Sequence, residues 1–360
     1  LEGVMQGKKE FHAEIATIGT VRHVNLVCLK GFCLDKIHRL LVYEHMARGS
    51  LDSLLFPAGR NSDNNGMMKA KTSTLTLKER LAIAIGVAKA LTYLHEGSPE
   101  CIIHCDIKPE NVLVSDEGEA KLSDFGLAKM MNRKKRDSSE TNVRGTRGYM
   151  APEWLRGVVS ITEKADVYSY GVLLLEILSG RRNYEAPSNS LTSRYVPGWA
   201  LRNLSLQGSE SIERKLLDEA IMADLDHVRN DGNSMDKKDL EEDNKNNRER
   251  VHRAFLTALW CVQEDPGIRP SMSRVVKMLE GDVDIPTPPG ESGDEDSFSA
   301  SSFSGVGGGA DATSSTKLNS VKADHRFHIT TTQSEVSLPF FARASRIFST
   351  LYNKPSSSVN

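Results

Sequence analysis

Two short segments of the 360-residue chain carry groups whose chemistry is complementary. The first reads His104-Cys105-Asp106-Ile107-Lys108-Pro109-Glu110-Asn111. The second, Asp124-Phe125-Gly126, opens thirteen residues after Asn111. Asn111 and Asp124 offer oxygen ligands of the kind Mg²⁺ takes, one or two carboxylates beside substrate phosphates. Lys108 supplies a positive point charge for a phosphoryl group in transfer. Asp106, a carboxylate that is not a metal ligand, can orient a hydroxyl nucleophile and accept its proton. Phosphoryl transfer needs little beyond such positioning and charge stabilisation. Each residue alone reads as an ordinary turn residue; the joint pattern His-x-Asp-x-Lys-x-x-Asn with Asp-Phe-Gly behind it does not.

Convergence of these groups depends on a small hairpin. Val112–Val114 and Glu119–Leu122 flank Ser-Asp-Glu-Gly, a strong turn signal. Paired antiparallel, they set Asn111 and Asp124 at one open end, with Asp106 and Lys108 on the loop just before it. Upstream, Phe11, Ile15 and Ile18 share one face of a helix over 8–18, and Leu26–Cys33 with Arg39–Glu44 read as a second hairpin. Residues 57–74 lack periodicity and read as an exposed insertion. Helical period returns over 75–96, where Leu77, Leu81, Ile85, Ala88, Leu91 and His95 recur every three or four positions. The segment 164–179 is apolar on nearly every side, the mark of a helix buried at a domain centre. Residues 223–247 read as a charged loop, followed by helices over 251–262 and 271–280. Beyond Gly281 the Pro-, Ser- and Gly-rich acidic composition cannot offset its ordering entropy, so disorder is expected. Pro339–Tyr352 reads as a loosely docked tail, with a short amphipathic helix as the alternative.

Composition excludes several classes. The 46 Lys and Arg against 48 Asp and Glu leave a formal charge of −2, which argues for neither nucleic acid nor an anionic membrane as main partner. No apolar run approaches the roughly 20 residues needed to cross a bilayer; the longest, Val167–Leu178, contains Glu176. Five cysteines without paired Cys-x-x-Cys spacing argue against a disulfide framework or a structural zinc site and for reduced thiols.

The chemistry-bearing segments resemble the catalytic core of a eukaryotic protein kinase, and the likeness extends over roughly residues 1–281. Ala151-Pro152-Glu153 is similar to the end of the family's activation segment, Asp166 to the aspartate opening its buried helix, and Arg269 to the arginine that pairs with the Ala-Pro-Glu glutamate. Glu14 resembles the small-lobe helix glutamate. Leu41-Val42-Tyr43-Glu44-His45-Met46 resembles the strand and hinge that bind adenine, with Tyr43 as gatekeeper. The resemblance implies backbone contacts from Glu44 and Met46 to adenine, Leu113 as the floor beneath it, and an apolar spine of His104, Phe125 and Ile18. It implies a two-lobed α+β fold: a partial small lobe (1–46), a mainly helical large lobe (47–281) and a tail (282–360). It also implies ATP and Mg²⁺ as cofactors, Asp106 and Lys108 as catalytic residues, Thr146 helping to seat the acceptor, and a buried Glu153–Arg269 ion pair.

Lys108 in Asp-x-Lys-Pro-x-Asn and Thr146 in Gly-Thr-x-Gly-Tyr follow the serine/threonine pattern. Val21-Arg22-His23-Val24-Asn25-Leu26-Val27, Gly49-Ser50-Leu51, Tyr93-Leu94-His95 and Tyr149-Met150-Ala151-Pro152-Glu153-Trp154 are similar to plant receptor-like kinases, and Leu259-Trp260-Cys261-Val262-Gln263 to their S-domain (G-type lectin) group. The implied partners are proteins with Ser or Thr acceptors and a second copy for autophosphorylation, not nucleic acid. Membrane attachment is implied only through a segment upstream of Leu1: the intact protein sits on the cytoplasmic side of the plasma membrane, and this chain alone is soluble in the cytoplasm.

Two departures stand out. The chain has no Gly-x-Gly-x-x-Gly loop and no strand lysine ahead of Glu14; Lys8 and Lys9 fall on the same helix as Glu14 and cannot substitute. The expectation is an N-terminally truncated kinase domain, with a catalytically inactive kinase-like scaffold as the alternative. Cys105 replaces the arginine that clamps an activation-segment phosphate in most kinases, which implies the non-RD type. Arg133-Lys134-Lys135-Arg136 reads as a solvated, substrate-facing run beside Ser138, Ser139 and Thr141.

Overall fold

A computed structural model describes residues 6–35, 38–57, 60–62, 68–70, 75–131, 144–156, 161–183, 196–207, 209–218, 221–222, 225 and 237–289. The basic run 133–136, its neighbouring Ser and Thr residues, and the tail beyond 289, including 339–352, lie outside the described residues.

Helix α1 (Gln6–Ile18) buries Phe11, Ile15 and Ile18, the face expected from their spacing. It leads to an antiparallel pair, β1 (Leu29–Leu34) and β2 (Arg39–Tyr43), in which Phe32 faces Leu41 and Cys33 faces Leu40. After α2 (Leu51–Leu55), the segment read as an exposed insertion without periodicity contains β3 (Arg60–Ser62) paired with β4 (Met68–Ala70). Three-residue strands are too short to leave a period in sequence.

Helix α3 (Leu77–Thr92) starts at a capping box, with the Thr76 hydroxyl accepting from Glu79 N and the Glu79 carboxylate accepting from Thr76 N. Ile85 is half-buried, whereas Ile83, Ala84 and Val87 are buried outright. The core-facing stripe is therefore wider than the expected seam. The helix passes at Tyr93–Gly97 into a π-helical turn.

Strand β5 (Cys101–Ile103) precedes the hairpin of β6 (Val112–Val114) and β7 (Ala120–Leu122), in register Val112↔Leu122 and Val114↔Ala120 as expected. Strand β8 (Lys129–Met131) returns to pair with β5, a closure that no sequence period signals. Beyond α4 (Pro152–Arg156), every residue of α5 (Lys164–Ser179) from Ala165 onward is buried. Gly171 lets the next core helix approach: a Cβ there would lie 2.6 Å from Cys261 Cβ and 3.1 Å from Ala258 O.

Helices α6 (Val196–Gln207) and α7 (Ser209–Leu216) complete this side. Helix α8 (Lys237–Cys261) begins inside the expected charged loop, at Lys237 rather than at 251. Its first half is rich in Glu, Lys and Arg, good helix formers, and residues 242–250 are exposed or half-exposed, so no apolar stripe announces it. Helix α9 (Met272–Glu280) is capped by the Ser271 hydroxyl at its start and by Gly281 at φ +89° at its end. Residues 282–289, expected in the disordered tail, are ordered and run back to the end of α8. All five cysteines are free. Among the described residues no helix is long and apolar enough to cross a membrane.

Candidate active site

The loop from His104 to Lys108 is held from beneath by α5. Asp166, fully buried in its first turn, accepts from His104 N at 2.7 Å and Cys105 N at 2.9 Å, and its carboxylate also meets His95 Nε2 at 2.9 Å. This clamp holds Cys105 in the left-handed region, φ +68°. His104 Nδ1 accepts from Asp106 N at 3.2 Å, so the ring proton sits on Nε2 and is donated to Ser123 O at 3.0 Å. Burial holds its pKa below the ordinary histidine value despite the nearby charges of Asp166, Asp106 and Asp124. Phe125, fully buried, meets the imidazole edge-on with ring centres 4.8 Å apart.

Asp106 is the hub. Its Oδ1 accepts from the Thr146 hydroxyl at 2.6 Å, and its Oδ2 from Lys108 Nζ at 2.7 Å and Asn111 Nδ2 at 3.0 Å. Asn111 Nδ2 also donates to Asp106 O at 2.8 Å, and Lys108 Nζ donates to Thr146 Oγ1 at 2.9 Å. Burial alone would raise the Asp106 pKa; the bonds from Lys108 and Thr146 and the Lys108 charge outweigh it and hold the group ionised.

The open end of the β6–β7 hairpin is closed by Ser123, whose N–H and hydroxyl both donate to Asn111 O at 2.8 and 2.9 Å. The next residue, Asp124, turns left-handed at φ +62°, is exposed, and caps Gly126 N with its Oδ1 at 3.2 Å. Its charge acts on both His104 and Glu14, so one carboxylate lies between the loop and helix α1.

Glu14 is 3% exposed, and among the described residues its Oε2 has no hydrogen-bond partner. Burial pushes its carboxyl up to about 7; the Tyr43 hydroxyl, which donates to Oε1, and Phe125 N–H pull the other way, while Asp124 adds to the rise. Tyr43 is held protonated by burial and by Glu14.

The segment after β2 runs beside β6. Ser50 bridges Leu113, Arg48 N donates to Val114 O and Val114 N to Gly49 O. Glu44 N donates to Cys28 O, and its carboxylate accepts from Lys121 Nζ at 3.0 and 3.1 Å and from Cys28 N at 2.8 Å. Met46 O accepts from Gly49 N. Glu44 thus joins its own segment to β7, a tie that sequence reasoning missed, since nothing in either residue's local pattern names the other. The Tyr43–Glu14 bond was missed for the same reason.

Away from this cluster, Arg269 forms a two-pronged pair with Glu153, both contacts 2.8 Å. It also donates to the carbonyls of Gln263, Lys164 and Glu264 and lies 5.0 Å from the Tyr168 ring centre. That pair fastens the loop carrying Thr146 to the end of α8, the arrangement the resemblance implies.

Residues 2–279 match the protein kinase domain family. The chain belongs to the protein kinase family. Three similar proteins are G-type lectin S-receptor-like serine/threonine-protein kinases. SD2-5 of Arabidopsis thaliana is 45% identical over 81% of this chain and 31% of its own length. SD2-2 of the same plant is 41% identical over 86% and 35%, and LECRK1 of Oryza sativa subsp. japonica 41% identical over 78% and 30%. The chain spans about a third of the length of the curated relatives it matches.

This kinase's two-lobed α+β architecture explains the burial of its site residues. His104, Asp106, Asn111, Phe125 and Asp166 sit where the helical lobe presents its small hairpins, and Glu14 and Tyr43 come from the lobe of α1, β1 and β2. Cys105 is buried, its thiol donating to Ile103 O at 3.6 Å, and burial raises its pKa well above the ordinary thiol value.

Proposed function

We propose that this kinase domain transfers the γ-phosphoryl group of ATP to Ser and Thr hydroxyls of proteins. One observation carries the reading: Asp106, ionised and facing Lys108, already accepts a hydroxyl hydrogen bond, from Thr146, on the oxygen that an acceptor hydroxyl needs. Asp106 Oδ1 orients that hydroxyl and takes its proton as oxygen bonds to the γ-phosphorus and the bond to the bridging oxygen of ADP breaks. Lys108 Nζ balances charge on the moving group, and Thr146 seats the acceptor. Asn111 and Asp124, hard oxygen donors at one hairpin end, fit Mg²⁺. When bound, Mg²⁺ neutralises phosphate charge. Glu44 N is taken by Cys28 O, so Glu44 offers adenine its carbonyl, while Met46 offers its N–H and Leu113 the floor.

By its likeness to receptor-like kinases, the domain works on the cytoplasmic side of the plasma membrane, within a longer protein, on substrates that include a second copy. The lobes are assigned to 1–46 and 47–281. Cys105 cannot clamp a phosphate, so activity does not hinge on activation-segment phosphorylation. The test is transfer from radiolabelled ATP by the intact longer protein, its Asp106→Asn variant, and a Ser138→Ala/Ser139→Ala/Thr141→Ala variant. Label on Ser and Thr, lost in Asp106→Asn but kept in the triple variant, is expected. Equal labelling by Asp106→Asn, or label on Tyr, refutes the assignment. Silence of the triple variant alone refutes the non-RD reading.

A further inference from the structure

The segment after α9 contains Ile285-Pro286-Thr287-Pro288-Pro289 and forms neither helix nor strand. Ile285, Thr287 and Pro288 each precede a proline, which confines them to extended or polyproline-II backbone. The three prolines have no N–H, so at those positions the backbone offers acceptors only. The end of α8 answers with donors only. Trp260 Nε1 donates to Pro286 O at 2.8 Å, and Gln263 Nε2 donates to Pro289 O at 3.3 Å. The two acceptors are three residues apart, one turn of a polyproline-II helix or about 9 Å, so both carbonyls leave the same side. The two donors are also three residues apart, at the last turn of α8 and just beyond it. Pro288, between the two carbonyls, is buried while Thr287 and Pro289 on either side are exposed. Gln263 is itself 6% exposed, and its amide is steadied by a second bond to Leu259 O at 2.9 Å.

We propose that Trp260 and Gln263 form a recognition site for proline-rich peptides, reading carbonyls one polyproline-II turn apart around a buried proline, and that Ile285–Pro289 of the same chain is its resident ligand. The site does not depend on the phosphotransfer reading. Its matched parts are an indole N–H that needs an acceptor, a side-chain amide held in place, and a ligand pre-set by its own prolines, which lowers the ordering cost of binding. Only a few residues join α9 to the ligand, so its effective concentration at the site is on the order of millimolar or higher. Free peptide is shut out until the resident segment is removed.

The probe is a fluorescent peptide with the sequence of residues 284–290, titrated into the full chain and into a Pro286→Gly/Pro288→Gly/Pro289→Gly variant. The variant should bind the peptide at least about tenfold more tightly than the unaltered chain, from the effective-concentration argument. Adding Trp260→Phe, which keeps the ring and deletes the N–H, should weaken that binding about fivefold, the worth of one hydrogen bond. A peptide with glycine in place of each proline should not bind. Independently of any folding defect in the Trp260 variant, the Trp260 indole hydrogen should exchange slowly with solvent in the unaltered chain and faster in the triple variant. Equal peptide binding by both chains, no binding by the triple variant, no effect of Trp260→Phe, or unchanged indole exchange would each overturn the proposal.

Discussion

Replacing Arg269 by Ala tests how the activation-segment end is held. The guanidinium is 1% exposed and satisfies both oxygens of Glu153, itself 6% exposed, together with three main-chain carbonyls. Removing it strands a buried carboxylate and frees those carbonyls at once. Breaking one side of such a pair costs about 3–5 kcal/mol. Against a total stability of about 5–15 kcal/mol, that is a large share. With a urea slope of about 3 kcal/mol/M for a domain of this size, the unfolding midpoint should fall by about 1–1.7 M. Circular dichroism at equilibrium in urea measures it. The companion variant, Arg269→Met with Glu153→Leu, removes both charges and should recover part of the loss, because the stranded charge is gone while the three carbonyls still lack their donor. A single-variant shift below about 0.3 M, or a double variant no more stable than Arg269→Ala, refutes the argument.

Two further outcomes follow from burial. Glu14, raised by burial to about 7, binds its proton more tightly folded than unfolded, so its contribution to stability is complete below the ordinary carboxyl pKa and is lost as pH rises through 7. Glu14→Gln should therefore flatten the fall in urea midpoint between pH 5 and pH 8, gaining up to about 3 kcal/mol at the upper end; an unchanged slope counts against the buried orphan oxygen. Among the thiols, exposed Cys33 should react first with a disulfide reagent at pH 8. Buried Cys105, its pKa raised, and Cys261, pushed up to about 12, should stay silent until urea unfolds the chain. Early labelling of Cys105 would contradict its packing.

Much of the candidate site's geometry was legible in the chain because its residues lie close together in sequence. Asp106, Lys108 and Asn111 lie within one turn of loop, and the Ser-Asp-Glu-Gly turn sets the hairpin that brings Asp124 back to them. The all-apolar run of α5 announced the core. Other elements left no mark. Strands β3 and β5 are three residues long, shorter than a period needs, and the polar half of α8 faces solvent. The 282–289 segment looked disordered because its order comes from Trp260 and Gln263 rather than from its own apolar content.

Local spacing thus determined which side chains this kinase could use and which stretches could coil or turn, since propensity and periodicity act over a few residues. Tertiary structure alone decided that Tyr43 would cap Glu14, that Lys121 would hold Glu44, and that Asp166 would clamp the backbone of His104 and Cys105. Those partners are separated by 29, 77, 62 and 61 positions. Hydrogen bonds across such gaps exist only once the core has closed and burial has made an unpaired polar group costly.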